Sequence, residues 1–390
     1  MAMFNFTHAI YASSFLVVLS NSMIALALPW LVLQRTESII VTGMVGSLSL
    51  TALFMGSLFS HQLIRYLGSK TIILCGFFFN IITISGIIFC FSQDTLNIPL
   101  IILFAVIDKV FDATGNIALE FRFPEIARYS KISVQRLNSI QEGLFNGGSI
   151  LGAASAGLLL SFINPLYVFA IAGLVSFLAL INFLPLLSIY KNNRQPQKTV
   201  SLFASTRWIW GQQHLRSFLI IIMMVMASIA SLDDVLMPAF ITATTGNPAD
   251  IGFILASYSV TGIFSATLYA AYHQAFDDIW IIRAGIIGVV IFFIGLILFD
   301  NPVWIILNTC LTGILSGPLW PIINSRFMQE TPKHMRLGML ASISTLSVGV
   351  APVMVIVHAW IIQQFSIETL CIAIALTGIM TLLLKIEPKH

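Results

Sequence analysis

Apolar runs of about 20 residues succeed one another along almost the whole of this 390-residue chain, parted by short polar turns. A run of that length crosses about 30 Å of hydrocarbon as a helix. Lipid offers no water to the backbone, so a spanning segment must satisfy its N–H and C=O groups within itself, as a helix does. We read twelve spans, at approximately 9–33, 39–60, 71–92, 98–120, 138–162, 165–187, 217–240, 251–272, 280–299, 303–323, 339–364 and 367–384. The composition agrees. Hydrophobic residues make up 58% of the chain and charged residues 9%, where soluble domains carry about a quarter. The expected fold class is an all-α, multi-pass membrane protein embedded in a lipid bilayer. No cleavable signal is expected, because the first run is too long and lacks a small-residue cleavage site.

Charge sets the orientation. With the N-terminus in the cytoplasm, seventeen of the nineteen Lys and Arg residues fall in inner loops; Arg35 lies outside and Lys109 lies within a span. Such a bias is the signature of cytoplasmic loops, and twelve spans put both termini on that side. The longest polar interval, 188–216, begins Ser-Ile-Tyr-Lys-Asn-Asn-Arg-Gln-Pro-Gln-Lys and reads as a cytoplasmic linker. It divides the chain into a six-helix bundle at 1–187 and another at 217–390. Matching spacings suggest that the two are repeats: Pro29 precedes Gly43 by fourteen residues, and Pro238 precedes Gly252 by fourteen. Likewise Phe121-Arg122-Phe123 follows span 4 and Ser325-Arg326-Phe327 follows span 10.

The fourth run, Ile98–Phe121, carries Asp108, Lys109 and Asp112 in its middle. One ionisable group at that depth costs about 2.5–3.5 kcal/mol on insertion scales. Asp108 and Asp112 lie one turn apart on one helix face, with Lys109 about 100° and 60° around from them. All three can face one polar interior. Two readings stand: a structural ion pair that ties the helix to its neighbours, or a protonatable or substrate-contacting centre beside water. Burial and a like-charged neighbour both disfavour an ionised carboxylate, the condition under which one of the two acids exchanges a proton. Lys109 acts in the opposite direction.

Weaker candidates for a cavity wall are Asn21 in span 1, Glu142 in span 5, Asp233 and Asp234 in span 7, Tyr258 and Tyr269 in span 8, and Trp320 in span 10. Glu142 reads first as a partner of Arg136 or another loop cation, and His358 as a packed polar residue before a proton relay. Gly148, Gly152 and Gly157 place small residues where span 5 can approach another helix closely. Gly317-Pro318-Leu319-Trp320-Pro321 removes two backbone donors and is expected to break or kink span 10. Pro352 is expected to bend span 11. The cysteines Cys75, Cys90, Cys310 and Cys371 have neither metal-ligand nor redox spacing. No phosphate-binding Gly-rich loop, metal cluster or Ser-His-Asp arrangement is found, so neither an enzyme nor direct ATP drive is expected, and no cofactor or nucleic acid.

The 6+6 plan with Ala25–Gly46 around its first turn resembles a major facilitator superfamily transporter. The stretch Phe123-Pro124-Glu125-Ile126 through Arg136-Leu137-Asn138, before a Gly-rich fifth span, is similar to the bacterial siderophore-exporter and macrolide-efflux branch. The superfamily's loop motif between spans 2 and 3 is eroded: Leu63, Gly68 and Lys70 survive, while His61 replaces its Gly and Arg65 its Asp. Gly148, Gly152, Ala153, Ala156 and Gly157 follow the antiporters' span-5 pattern, with Ala153 in place of its Pro. The span-4 motif R-x-x-Q-G falls on Lys109, Asp112 and Ala113, which implies a role for Lys109 in proton transfer. The resemblance implies a monomeric secondary transporter of a bacterial inner membrane, in which two bundles rock about a cavity and the proton gradient drives export of a small organic molecule. A siderophore or antibiotic-like compound is the expected cargo. Uptake of a nutrient or ferri-siderophore is the alternative, and a non-transporting receptor or assembly subunit the lesser one.

Overall fold

In the computed structural model, which describes residues 2–93, 97–120, 122–123, 126, 134–184, 202–272, 277–331 and 336–384, every regular element is helical. Two compact units emerge: Met1–Glu37 with Val45–Gln197, and Ser38–Met44 with Lys198–His390.

The first unit is built mainly from α1 (Ala2–Thr36), α2 (Ile39–Leu67), α3 (Ser69–Ser92), α4 (Ile98–Glu120), α5 (Val134–Phe162) and α6 (Pro165–Phe183). The turns follow from local chemistry. Gly68, at φ 82°, turns the chain between α2 and α3, a conformation that glycine reaches without strain. Asn164 accepts the Leu166 N–H at 2.9 Å and Pro165 opens α6, so the chain reverses within two residues. Helix α1 packs on α5 and α6, and α3 packs on α4 and α6. Gly152 makes the first contact possible: a Cβ there would stand 2.6 Å from Leu19 O and from Ser22 Cβ. An apolar cluster of Ile10, Ile72, Ile73, Ala118, Phe123, Ile126, Leu137 and Phe183 ties α1, α3, α4, α5 and α6 together.

The second unit contains α7 (Leu202–Gly211), α8 (Gln213–Ser231), a π-helical turn at Leu232–Leu236, α9 (Met237–Ala243), α10 (Pro248–Tyr272), α11 (Asp278–Leu298), α12 (Pro302–Ser316), α13 (Leu319–Glu330), α14 (Arg336–Gln364) and α15 (Ile367–Leu382). Asp277, Asn301 and Ser366 cap α11, α12 and α15. The expected break at Gly317–Pro318 separates α12 from α13. Pro352 lies inside the continuous α14. Of the interval read as a linker, 188–201 lies outside the described residues, whereas Leu202–Gly211 is the helix α7. It buries Ile209 and packs on α8 and α14.

Ten of these helical stretches are long and apolar enough to cross a membrane. Helix α4 is long enough but carries Asp108, Lys109 and Asp112, and α15 has 16 residues. Large apolar side chains such as Phe78, Phe162, Phe264 and Leu383 stand 57–81% exposed. On a water-soluble protein such a surface would aggregate; against lipid it is the expected exterior.

Candidate functional site

The spacing of Asp108 and Asp112 does put both acids on one side of α4, and neighbouring helices meet them with amides. Asn80 of α3 donates to Asp108 Oδ1 at 2.8 Å and to Asn21 Oδ1 at 3.0 Å. Asn21 of α1 in turn donates to Asp112 Oδ1 at 3.0 Å, and Asn116, one turn along α4, donates to the same oxygen at 3.2 Å. Behind Asn80, the Ser176 hydroxyl of α6 lies 2.6 Å from Asn80 Oδ1 and 2.8 Å from Ser20 Oγ; Ser20 donates to Ala172 O at 2.8 Å. One connected network therefore joins α1, α3, α4 and α6. Asn80 holds its centre, using both amide protons and its carbonyl.

The two acids then part company. Asp108 is 4% exposed, and Lys109 Nζ lies 3.4 Å from its Oδ2. It is sealed in an ion pair backed by an amide. Asp112 instead borders a cavity of about 300 Å³ whose wall also includes Asn21, Asn80, Asn116, Glu120, Gln141 and Glu142. Both amide bonds to Asp112 fall on Oδ1, leaving Oδ2 outside the network among the described residues. A carboxylate held by two amides at the edge of an open space, with the Lys109 charge close enough to act on it, can exchange a proton or meet a cation.

Of the residues expected from sequence, Asp112, Asn21 and Glu142 come together around this cavity, while Asp108 and Lys109 are not among its lining residues. Arg136, the alternative partner for Glu142, has its side chain outside the described set. The others fall in the second unit. Asp233 and Asp234 sit on the π-helical turn, a geometry that often marks functional positions. Tyr258 Oη lies 3.2 Å from Ser316 Oγ, and Trp320 is 38% exposed. Tyr269 donates to Asp278, which Arg326 pairs at 2.6 Å. His358 is buried with Nδ1 2.7 Å from Ser231 Oγ, and borders a separate cavity of about 450 Å³ in the second unit, lined mostly by apolar side chains such as Met223, Met224 and Met354.

Comparison with known proteins bears on this arrangement. The family model described as Major Facilitator Superfamily matches residues 10–240. The chain belongs to that superfamily. It is a membrane transporter, not an enzyme. The superfamily relatives include "Multidrug efflux pump Tap" of Mycolicibacterium fortuitum, 25% identical over 85% of this chain and 83% of that protein. The pump of the same description from Mycobacterium tuberculosis is 25% identical over 93% and 88%. Among solved structures, the nucleoside transporter NupG superposes with a TM-score of 0.77 at 12% identity over 97% of each chain. A D-xylose-proton symporter gives 0.74 at 11%, again over 97% of each. At such identities these structures establish the superfamily fold and nothing finer.

Proposed function

We propose that this superfamily member exports a small organic molecule from the bacterial cytoplasm, driven by proton re-entry. The relatives named as multidrug efflux pumps support export of an antibiotic-like compound. The observation that carries the mechanism is Asp112, a carboxylate fixed by two amides at the border of a cavity. In this mechanism Asp112 holds a proton or contacts the cargo by turns, and alternating access exposes it first to one side and then to the other. Asp108 and Lys109 hold α4 in register, so that Asp112 keeps its position. Counting α4 and α15 as spans gives twelve, with both termini in the cytoplasm and the protein a monomer in the inner membrane. Gly148, Gly152 and Gly157 serve close packing in this scheme; Pro318, Pro321 and Pro352 supply bends for gating. Asp233, Asp234, Tyr258 and Trp320 are the second unit's polar contribution to the cargo path.

The test uses inverted membrane vesicles energised by an imposed pH gradient, with a panel of fluorescent drugs and metal-free siderophores. Export appears as accumulation inside the vesicles, accompanied by proton release from them. Asp112→Asn should abolish gradient-driven accumulation while the protein still inserts and elutes as a single species. Undiminished coupled transport in Asp112→Asn would remove this residue from the mechanism, and movement of cargo out of the vesicles would reverse the direction.

A further inference from the structure

We infer that the cavity of the first unit takes an aromatic organic cation, and that an anionic chelator is excluded from it. The inference deepens the export reading by naming a cargo class, and it rests on that reading only for the word cargo. Three observations carry it. First, every ionisable side chain in the described wall is a carboxylate: Asp112, Glu120 and Glu142, with neither Lys, Arg nor His among the lining residues. Lys109 acts on Asp112 from outside the lining and is itself offset by Asp108, 3.4 Å away. The three wall carboxylates therefore leave the cavity negative. Low-dielectric walls focus that field, drawing a cation in and repelling an anion. Helical rise puts Asp112 and Glu120, eight residues apart on α4, about 12 Å from each other along the cavity. A cation of drug size can therefore sit between negative groups.

Second, the rest of the wall is rich in phenyl rings. Phe77, Phe111 and Phe145 contribute to it. Phe111 is stacked on Phe79 at 4.2 Å between ring centroids, and Phe77 is tilted against Phe183 at 5.1 Å. Those two rings are thus packed against aromatic neighbours, and ring faces attract cations while their area shelters an apolar body. Third, Ser13 of α1 stands in the wall, 1% exposed, and its Oγ has no hydrogen-bond partner among the described residues. A buried hydroxyl left without a partner is costly. A ligand that reached this oxygen would supply the partner it lacks.

The test is a matched pair of probes of one shape and opposite charge, tetraphenylphosphonium and tetraphenylborate, applied to the purified full chain in detergent. Radiolabelled tetraphenylphosphonium should bind saturably. A hundredfold excess of tetraphenylborate should leave that binding in place, whereas unlabelled cation displaces it. Asp112→Asn should weaken binding at least tenfold. The exposed Glu142, changed to Gln, should weaken it severalfold, and this variant decides the matter if Asp112→Asn fails to elute as a single species. Equal displacement by the borate, or affinity unchanged by both substitutions, would overturn the inference. Cation binding with the expected pattern but without gradient-driven flux would defeat the export reading alone. Gradient-driven flux of an anionic compound, with no bound cation, would defeat this inference alone.

Discussion

The two units handle buried polarity in opposite ways. In the first, Asn80 and Asn21 stitch two acids to three further helices and leave one acid facing an open space. In the second, polar groups meet in small local sets: the half-buried Tyr258 with Ser316, His358 with Ser231, and Asp278 with Tyr269 and Arg326. The cavity beside His358 is lined mainly by apolar side chains. A network fixes a charge in one position at the expense of many coupled bonds. A small set satisfies its own members and commits little else. On the proposed mechanism the proton-carrying acid lies in the first unit, and the contrast can be broken by substitutions that disturb one unit more than the other. Cys90 and Cys371, buried one in each unit, report unfolding when a thiol-reactive dye is added during heating in detergent.

The largest effect on stability is expected at Asp108. Replacing it by Leu breaks the contact with Lys109 and removes an acceptor from Asn80, a change of about 3 kcal/mol or more for a broken buried pair. Dye labelling should then begin at a markedly lower temperature. Asp112→Asn keeps a polar group among the same amides and should unfold near the native temperature while flux is lost. If Asp108→Leu kept full stability and lost only flux, the division of labour between the acids would be reversed.

Next in size is Asn80→Leu. It removes bonds to Asn21, Asp108 and Ser176 together, for about 2–4 kcal/mol when each unmade bond leaves a buried partner. Asn80→Asp should partly restore the transition temperature by keeping the acceptor for Ser176, but not flux, because a further negative charge would face Asp108. Intact transport in Asn80→Leu would show that the network is dispensable.

How far this site could be read from the chain follows from which signals are local. Spans were legible because a backbone in lipid has few options. The shared face of Asp108 and Asp112 was legible because four-residue spacing is a property of the helix itself. The break at Gly317–Pro318 was legible because two missing donors within one turn are a covalent fact. Asn80 was passed over: one amide after Phe77, Phe78 and Phe79 has no periodicity, and which face α3 turns inward is decided by α4 and α6. Ser13 and Glu120 were missed for the same reason. Nor does Leu232–Leu236 differ in composition from ordinary helix, so its π-helical turn has no sequence signature.

A smaller effect separates two glycines on α5. At Gly152 a methyl group would meet Leu19 O and Ser22 Cβ at 2.6 Å, so α1 and α5 must move apart. Overpacking of this kind costs about 1–3 kcal/mol. At Gly143 nothing among the described residues lies within 4 Å of the added carbon, and Ala favours helix over Gly by up to about 1 kcal/mol. Gly152→Ala should thus lower the labelling temperature, and Gly143→Ala hold or raise it. Equal losses at both sites would mean that α5 is sensitive along its whole length and not where it crosses α1.

The smallest change tests the paired arrangement of the second unit. Tyr258→Phe deletes a hydroxyl that lies 3.2 Å from the buried Ser316 Oγ. Ser316 keeps its bond to Thr312 O at 2.8 Å, so no donor is stranded and the expected loss is about 0.5–1.5 kcal/mol. Labelling of Cys371 should shift slightly. Tetraphenylphosphonium affinity should stay within twofold, since Tyr258 does not line the first unit's cavity. A tenfold loss of affinity in this variant would mean that the cation contacts both units, and that the charge chemistry is shared where the proposed mechanism assigns it to one.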